Sequence, residues 1–153
     1  MKRVLFLFSV IIFISSCNSN LVYKEIRKFE KVSWNRFDIQ NFEVPVTAGE
    51  ELDFFLFLRH HTYFPYDKLF VSITFFSPSG DERSAEYDFN LKDEKGKWLA
   101  DGMGELWDIE LPIRQNMKFS SAGICKVQIQ NLYSKTETPG IVEIGLIARK
   151  SSD

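Results

Sequence analysis

The alternation of apolar and polar residues restricts this chain more than any other feature. Ala85, Tyr87, Phe89 and Leu91 are separated by Glu86, Asp88 and Asn90. Trp107, Ile109 and Leu111 are separated by Asp108 and Glu110, and Phe42, Val44 and Val46 by Glu43 and Pro45. A period of two sends successive side chains to opposite faces of a strand, whereas a helix needs a period near 3.6. Leu52 to Leu58 and Leu69 to Phe76 are apolar on both sides, as central strands are. Cys125, Val127 and Ile129 continue the pattern, and Ile141 to Ala148 ends it. Turn chemistry separates these runs. Ser77-Pro78-Ser79-Gly80 has Pro second and Gly fourth, which suits a type I turn. Asp93 to Gly96 reads as another turn, and Thr138-Pro139-Gly140 as a type II turn with Gly where φ must be positive. No long amphipathic helix is visible. The expectation is an all-β chain, a two-sheet antiparallel β-sandwich of about eight strands.

Composition agrees. The 153 residues make one domain, 44% of them apolar and 26% charged, which is a globular balance. A net charge of −2 and the lack of any Lys/Arg-rich run argue against a nucleic-acid partner.

The N-terminus has its own logic. Lys2 and Arg3 precede an apolar run from Val4 to Ile14 interrupted only by Ser9. A membrane span needs about 20 residues, so this run has the length of a signal-peptide core instead. It ends in Ile14-Ser15-Ser16-Cys17, small residues before a Cys, as in a bacterial lipobox. Cleavage before Cys17 would free it for acylation, and two or more acyl chains anchor a protein stably. Residues 1–16 are thus read as a lipoprotein signal peptide, 17–33 as the lipidated Cys17 and a flexible tether, and 34–150 as the sandwich. From 22 to 36 five basic side chains stand against two acidic ones, and Val22, Ile26 and Phe29 have a helix-like spacing. The seventeen steps from Cys17 to Trp34 would reach about 55–60 Å if extended. No acidic residue follows Cys17 closely. The expected location is the cell envelope, with the chain lipid-anchored to the outer membrane and facing the periplasm.

Candidate chemistry is sparse. His60 and His61 are the only histidines, and as strand neighbours they point to opposite faces. No third His and no Cys pair completes a zinc set, and no Gly-x-Ser-x-Gly elbow is present. Residues 81–110 hold ten acidic side chains against four basic ones, but without EF-hand spacing, and most fall on the solvent side of alternating strands. The chain is therefore read as not an enzyme, with no catalytic residue, no metal, no cofactor and no evident small-molecule substrate. Cys125 alternates with Lys126 and shares a side with Val127 and Ile129, so it reads as a buried, inert thiol. Arg59, in an apolar strand, is expected to pair with a carboxylate. Trp98 and Trp107 flank the loop Asp101-Gly102-Met103-Gly104. Core packing accounts for either indole, but an exposed Trp would be an anchor for a protein partner or a stacking platform for a sugar. These two are the candidate partner-binding residues.

Ordered short motifs complete the reading. After the lipobox and Trp34 come Leu58-Arg59 and Tyr63-Phe64-Pro65-Tyr66-Asp67-Lys68-Leu69. Leu91-Lys92-Asp93-Glu94-Lys95-Gly96-Lys97-Trp98-Leu99 follows. Gly123 opens Val127-Gln128-Ile129-Gln130, and Pro139-Gly140-Ile141 leads to Gly145-Leu146. The set resembles the GldH gliding-motility lipoprotein family of Bacteroidetes over about 34–147 plus the signal. It departs at Lys68, where an Asn is expected, and at Ala100, where a Gly is. The resemblance implies a non-catalytic envelope lipoprotein needed for gliding, acting beside the machinery that moves and exports surface adhesins. Its partners would be other envelope motility or secretion proteins. The alternative is a lipid-anchored module that binds envelope glycan.

Overall fold

The computed structural model describes residues 20–152 and is built from eleven strands. They are β1 (Leu21–Lys28), β2 (Ser33–Asn35), β3 (Gln40–Val46), β4 (Glu51–His61), β5 (Lys68–Phe76) and β6 (Glu82–Asn90). β7 (Asp101–Met103), β8 (Leu106–Lys118), β9 (Gly123–Asn131), β10 (Glu137–Pro139) and β11 (Ile141–Lys150) complete the chain. A five-stranded sheet in the order β1-β11-β4-β8-β7 packs on a four-stranded sheet in the order β3-β9-β5-β6, and β10-β2 forms a small ribbon. All pairings are antiparallel. The expected sandwich is present.

The core lies between the inward rows of the alternating strands. Leu52, Phe54, Leu56 and Leu58 on β4 face Leu69, Val71, Ile73 and Phe75 on β5. The rings of Phe54 and Phe75 meet edge to face at 5.1 Å, the geometry their quadrupoles favour. Cys125 lies on the inward row of β9 between these layers, fully buried. The turns behave as their residues require. Gly80 donates to Ser77 O at 3.0 Å and Gly96 to Asp93 O at 3.0 Å. Gly140 has φ 87°, and a Cβ there would come within 2.8 Å of Phe64 Cα, so only glycine fits.

The tether is shorter than 17–33. Residues 21–28 are not a linker but β1, an edge strand in register with β11 from Arg149 to Glu143. The sequence hides this strand because its inward row is polar. Tyr23 donates to Glu25, Arg27 makes two bonds to the same carboxylate, and Arg27 also reaches the backbone of Asn41 on β3. The guanidinium lies 4.8 Å from the Phe42 ring, so ions rather than alkyl groups close this side of the sandwich. The sandwich therefore begins at Leu21 rather than at residue 34. The short strands β2, β7 and β10 raise the count above the expected eight, and β8 runs past Leu111 to Lys118. The signal segment 1–16 and Cys17 lie outside the described residues.

The strands give the sandwich two ends. The carbonyl of Asn20, just before β1, accepts the Lys150 N–H at 2.8 Å, so it shares one end with the start of β4 and the end of β11. The other end carries His60 and His61, the start of β8, and the segments 62–67, 91–105 and 132–140. β4 crosses between the two in ten steps, a span of about 33 Å at ~3.3 Å per residue.

Candidate functional site

The far end is where sequence and structure place the interesting residues. His60 and His61 do point to opposite faces. His60 is on the inner face, 0% exposed, and Trp98 packs on it with ring centroids 4.3 Å apart. Its Nδ1 faces the His61 carbonyl at 3.2 Å, while Nε2 has no partner. Burial is the main cause that lowers the His60 pKa; the contact with the His61 carbonyl and the charge of Asp108 oppose it, and Lys92 and the His61 side chain add smaller contributions in the direction of burial. Burial likewise pushes the Cys125 thiol up to about 11, so it is not a reactive thiolate.

Trp98 and Trp107 are both half-buried. Trp98 belongs to the rim of the core, 6.5 Å from Phe64, and the Lys92 ammonium lies 4.3 Å above its ring. Trp107 pairs across β8 with His60 on one side and Gly102 of β7 on the other. A side chain at Gly102 would collide with the indole, so the ring covers the glycine. Its Nε1 donates to Thr62 Oγ1 at 3.1 Å. The two indoles brace this end from within, and neither is an open platform.

Four of the exposed apolar groups lie at this end of the sandwich. Met103 is 91% exposed, Tyr63 55%, Leu99 53% and Leu106 40%. A two-residue loop, Gly104-Glu105, joins β7 to β8, with Gly104 at φ 68°. The signal was in the sequence: a long apolar residue between two glycines at a hairpin tip has nothing to pack under. On the outer face Leu106 stands opposite both His61 and Met103. The His61 ring packs on Tyr63 at 4.0 Å, tilted by 34°, and meets Glu105 at 3.2 Å, which joins Tyr63, Leu106 and Met103 into one patch.

A row of charges crosses the same face, directly opposed from strand to strand: Lys28, Glu143, Arg59, Asp108, Asp101. Arg59 bonds both oxygens of Asp108 at 2.6 Å and Glu143 at 3.1 Å, the expected carboxylate pairing. Those bonds, the one to Asp108 foremost, raise the Arg59 pKa further. Arg149, in register with Asp53, reaches over the Phe55 ring to pair with Glu110 at 2.8 Å. Two adjoining depressions border Asp101 and Asp108. One is lined further by Phe57, Leu99, Ile109 and Glu110, the other by Arg59, Gly102, Met103 and Leu106. This arrangement can hold a protruding chain; the described residues contain no cluster of His, Cys, Asp or Glu fit to hold a metal ion.

Comparison with known proteins gives the family. The model of the GldH lipoprotein family matches residues 21–147, β1 through most of β11. The chain belongs to the GldH lipoprotein family. A relative named gliding motility lipoprotein GldH homolog, from Christiangramia forsetii, is 28% identical across 97% of this chain and 95% of its own. The gliding motility lipoprotein GldH of Flavobacterium johnsoniae is 22% identical across 90% of this chain and 85% of its own. Among solved structures, that of infectious bursal disease virus Gx strain aligns with a TM-score of 0.30 and 11% identity over 85% of this chain. This chain spans 30% of the viral one. The family match starts at Leu21, so the edge strand read from sequence as tether is part of the family's domain.

Proposed function

We propose that the chain is a lipid-anchored, non-catalytic interaction module of the cell envelope that serves gliding motility beside the machinery moving and exporting surface adhesins. The family match over 21–147 carries this reading, supported by relatives named for gliding motility. Cys17 is the lipid attachment point, and the outer membrane, periplasmic side, is its location.

The fold supports a specific posture. From Cys17 to Leu21 is four steps of chain, at most about 14 Å. A lipidated Cys17 would hold the Asn20 end against the membrane and project the Met103 end about 33 Å beyond it. The exposed apolar patch would then face envelope proteins rather than lipid. Trp98 and Trp107 serve that end by fixing its loops, with partner contact shared by their exposed edges.

The test is genetic. Deleting the gene in the bacterium that encodes it should stop cells spreading over agar, and Cys17→Ser should do the same while leaving a folded, unlipidated chain. Labelling with a radioactive fatty acid verifies the lipid. Normal spreading by the deletion strain would refute the motility reading, and label retained on Cys17→Ser would refute the anchor.

A further inference from the structure

We propose that the β7 edge of the five-stranded sheet docks an extended segment of a partner protein, one that presents a Lys or Arg between two apolar side chains. The proposal rests on the reading of the far end as the interaction end, and deepens it by naming the chemistry of the partner.

The charge row carries the argument. From β1 to β8 it alternates in sign: Lys28, Glu143, Arg59, Asp108. At β7 the alternation fails, because Asp101 stands directly opposite Asp108. Like charges directly opposed on a sheet are destabilising. Asp108 spends both oxygens on Arg59, and Asp101 has no cationic partner among the described residues. A cation is wanted at the next place in the row, beyond the sheet edge. Lys24, Lys28, Arg59 and Arg149 offset Asp108, Glu110 and Glu143 across the face, so the acidic excess is at the β7–β8 tip, where Asp101 and Glu105 have no Lys or Arg partner among the described residues. The field over it favours a basic partner and disfavours an acidic surface.

Shape supplies the rest. The two depressions both adjoin the Asp101–Asp108 pair and each has apolar side chains in its lining; the one beside Met103 and Leu106 is mostly apolar, and the one beside Phe57 is mixed. In an extended segment alternate side chains project from one face about 6.6 Å apart. An apolar side chain would enter each depression while the Lys or Arg between them crosses Asp101, laying its alkyl stem on apolar surface and its head on the carboxylate. Met103, almost wholly exposed at the tip, would be covered.

Photo-crosslinking tests this in the full-length chain in its own cells. Benzoylphenylalanine replaces Met103, or Ile124 on the outer face of the other sheet as a control. The expected adduct at Met103 is a protein segment whose mass-spectrometric sequence has Lys or Arg within two residues of the linked position. Adding Asp101→Lys should lower the adduct yield about tenfold by setting like charges together. That substitution places a cation opposite Asp108, so it should melt no lower than the parent, and lost yield is then not lost folding. The proposal is overturned by an adduct with lipid, glycan, an acidic segment or a second copy of the chain. No adduct at Met103, equal yield at Ile124, a yield indifferent to Asp101→Lys, or a lowered melt would also overturn it. Adduct chemistry and gliding are separate readouts, so normal gliding after deletion would sink the motility reading and leave this one to the cross-link.

Discussion

Acid should loosen the far end of the sandwich through His60. The imidazole is 0% exposed, Trp98 covers it, and its Nε2 has no partner. Burial lowers its pKa below the ordinary 6.5, outweighing the opposing contact with the His61 carbonyl and the charge of Asp108, while Lys92 and the His61 side chain add smaller lowering contributions. The unfolded chain therefore binds the proton first as pH falls. Stability is fully present above about pH 6.5 and is lost as pH drops toward the folded pKa. One proton of difference is worth at most about 1.4 kcal/mol per pH unit, so the ceiling between pH 6.5 and 5 is about 2 kcal/mol. His60→Leu removes the titrating group. It also removes the unsatisfied nitrogen, worth about 1–3 kcal/mol, against losses of about 1 kcal/mol for the Nδ1 contact and about 0.5–1.5 kcal/mol for the Trp98 stacking. The His61 carbonyl keeps its bond from the Phe64 N–H, so no new orphan forms. At pH 7.5 the variant should match the parent within about 1.5 kcal/mol. Between pH 6.5 and 5 the parent should lose stability relative to it. Urea unfolding followed by tryptophan fluorescence at four pH values measures both curves. Parallel curves, or a parent that gains stability toward pH 5, would refute the reasoning.

Other perturbations separate core from surface. Cys125→Ala should cost about 1 kcal/mol in denaturant unfolding with gliding unchanged, and a bulky thiol reagent should react with the native protein only as fast as it unfolds. Trp98→Ala removes packing from His60 and Phe64 and should cost about 2–3 kcal/mol in a melt, less than a fully buried Trp. Trp107→Ala should cost less, about 1–2 kcal/mol, since that indole covers Gly102 at the sheet edge rather than joining the main core. Gly102→Ala should lower stability by about 1–3 kcal/mol, because a methyl displaces the Trp107 ring, whereas Met103→Ser should leave the melt within about 0.5 kcal/mol.

How much was legible varies from strand to strand. β3 and β9 could be read because one side of each strand is solvated and the other dry, so the period of two is written in residue type. The turns at Gly80, Gly96 and Gly140 were legible for a local reason, since the backbone there needs what Gly and Pro supply. β1 was not legible. Its inward residues Tyr23, Glu25 and Arg27 satisfy one another and the Asn41 backbone, and no local rule separates such a row from a solvated linker. Arg59 announced that it needs a carboxylate, and the lone Cys in an alternating run announced its burial. Trp98 and Trp107 announced only their size, which suits a brace and an anchor equally well.

Local chemistry, then, determined the class of fold, the places where the chain turns, and the side of each strand that is dry. Tertiary structure alone decided which strands are neighbours, and with them the far-end patch. Asp101 and Asp108 are seven positions apart in sequence and read as two ordinary acids. Only strand register sets them face to face at the end of a row that starts at Lys28. Register is fixed by the sum of many weak pairings across the sheet, so an unmatched charge created by it is written in no single segment of the chain.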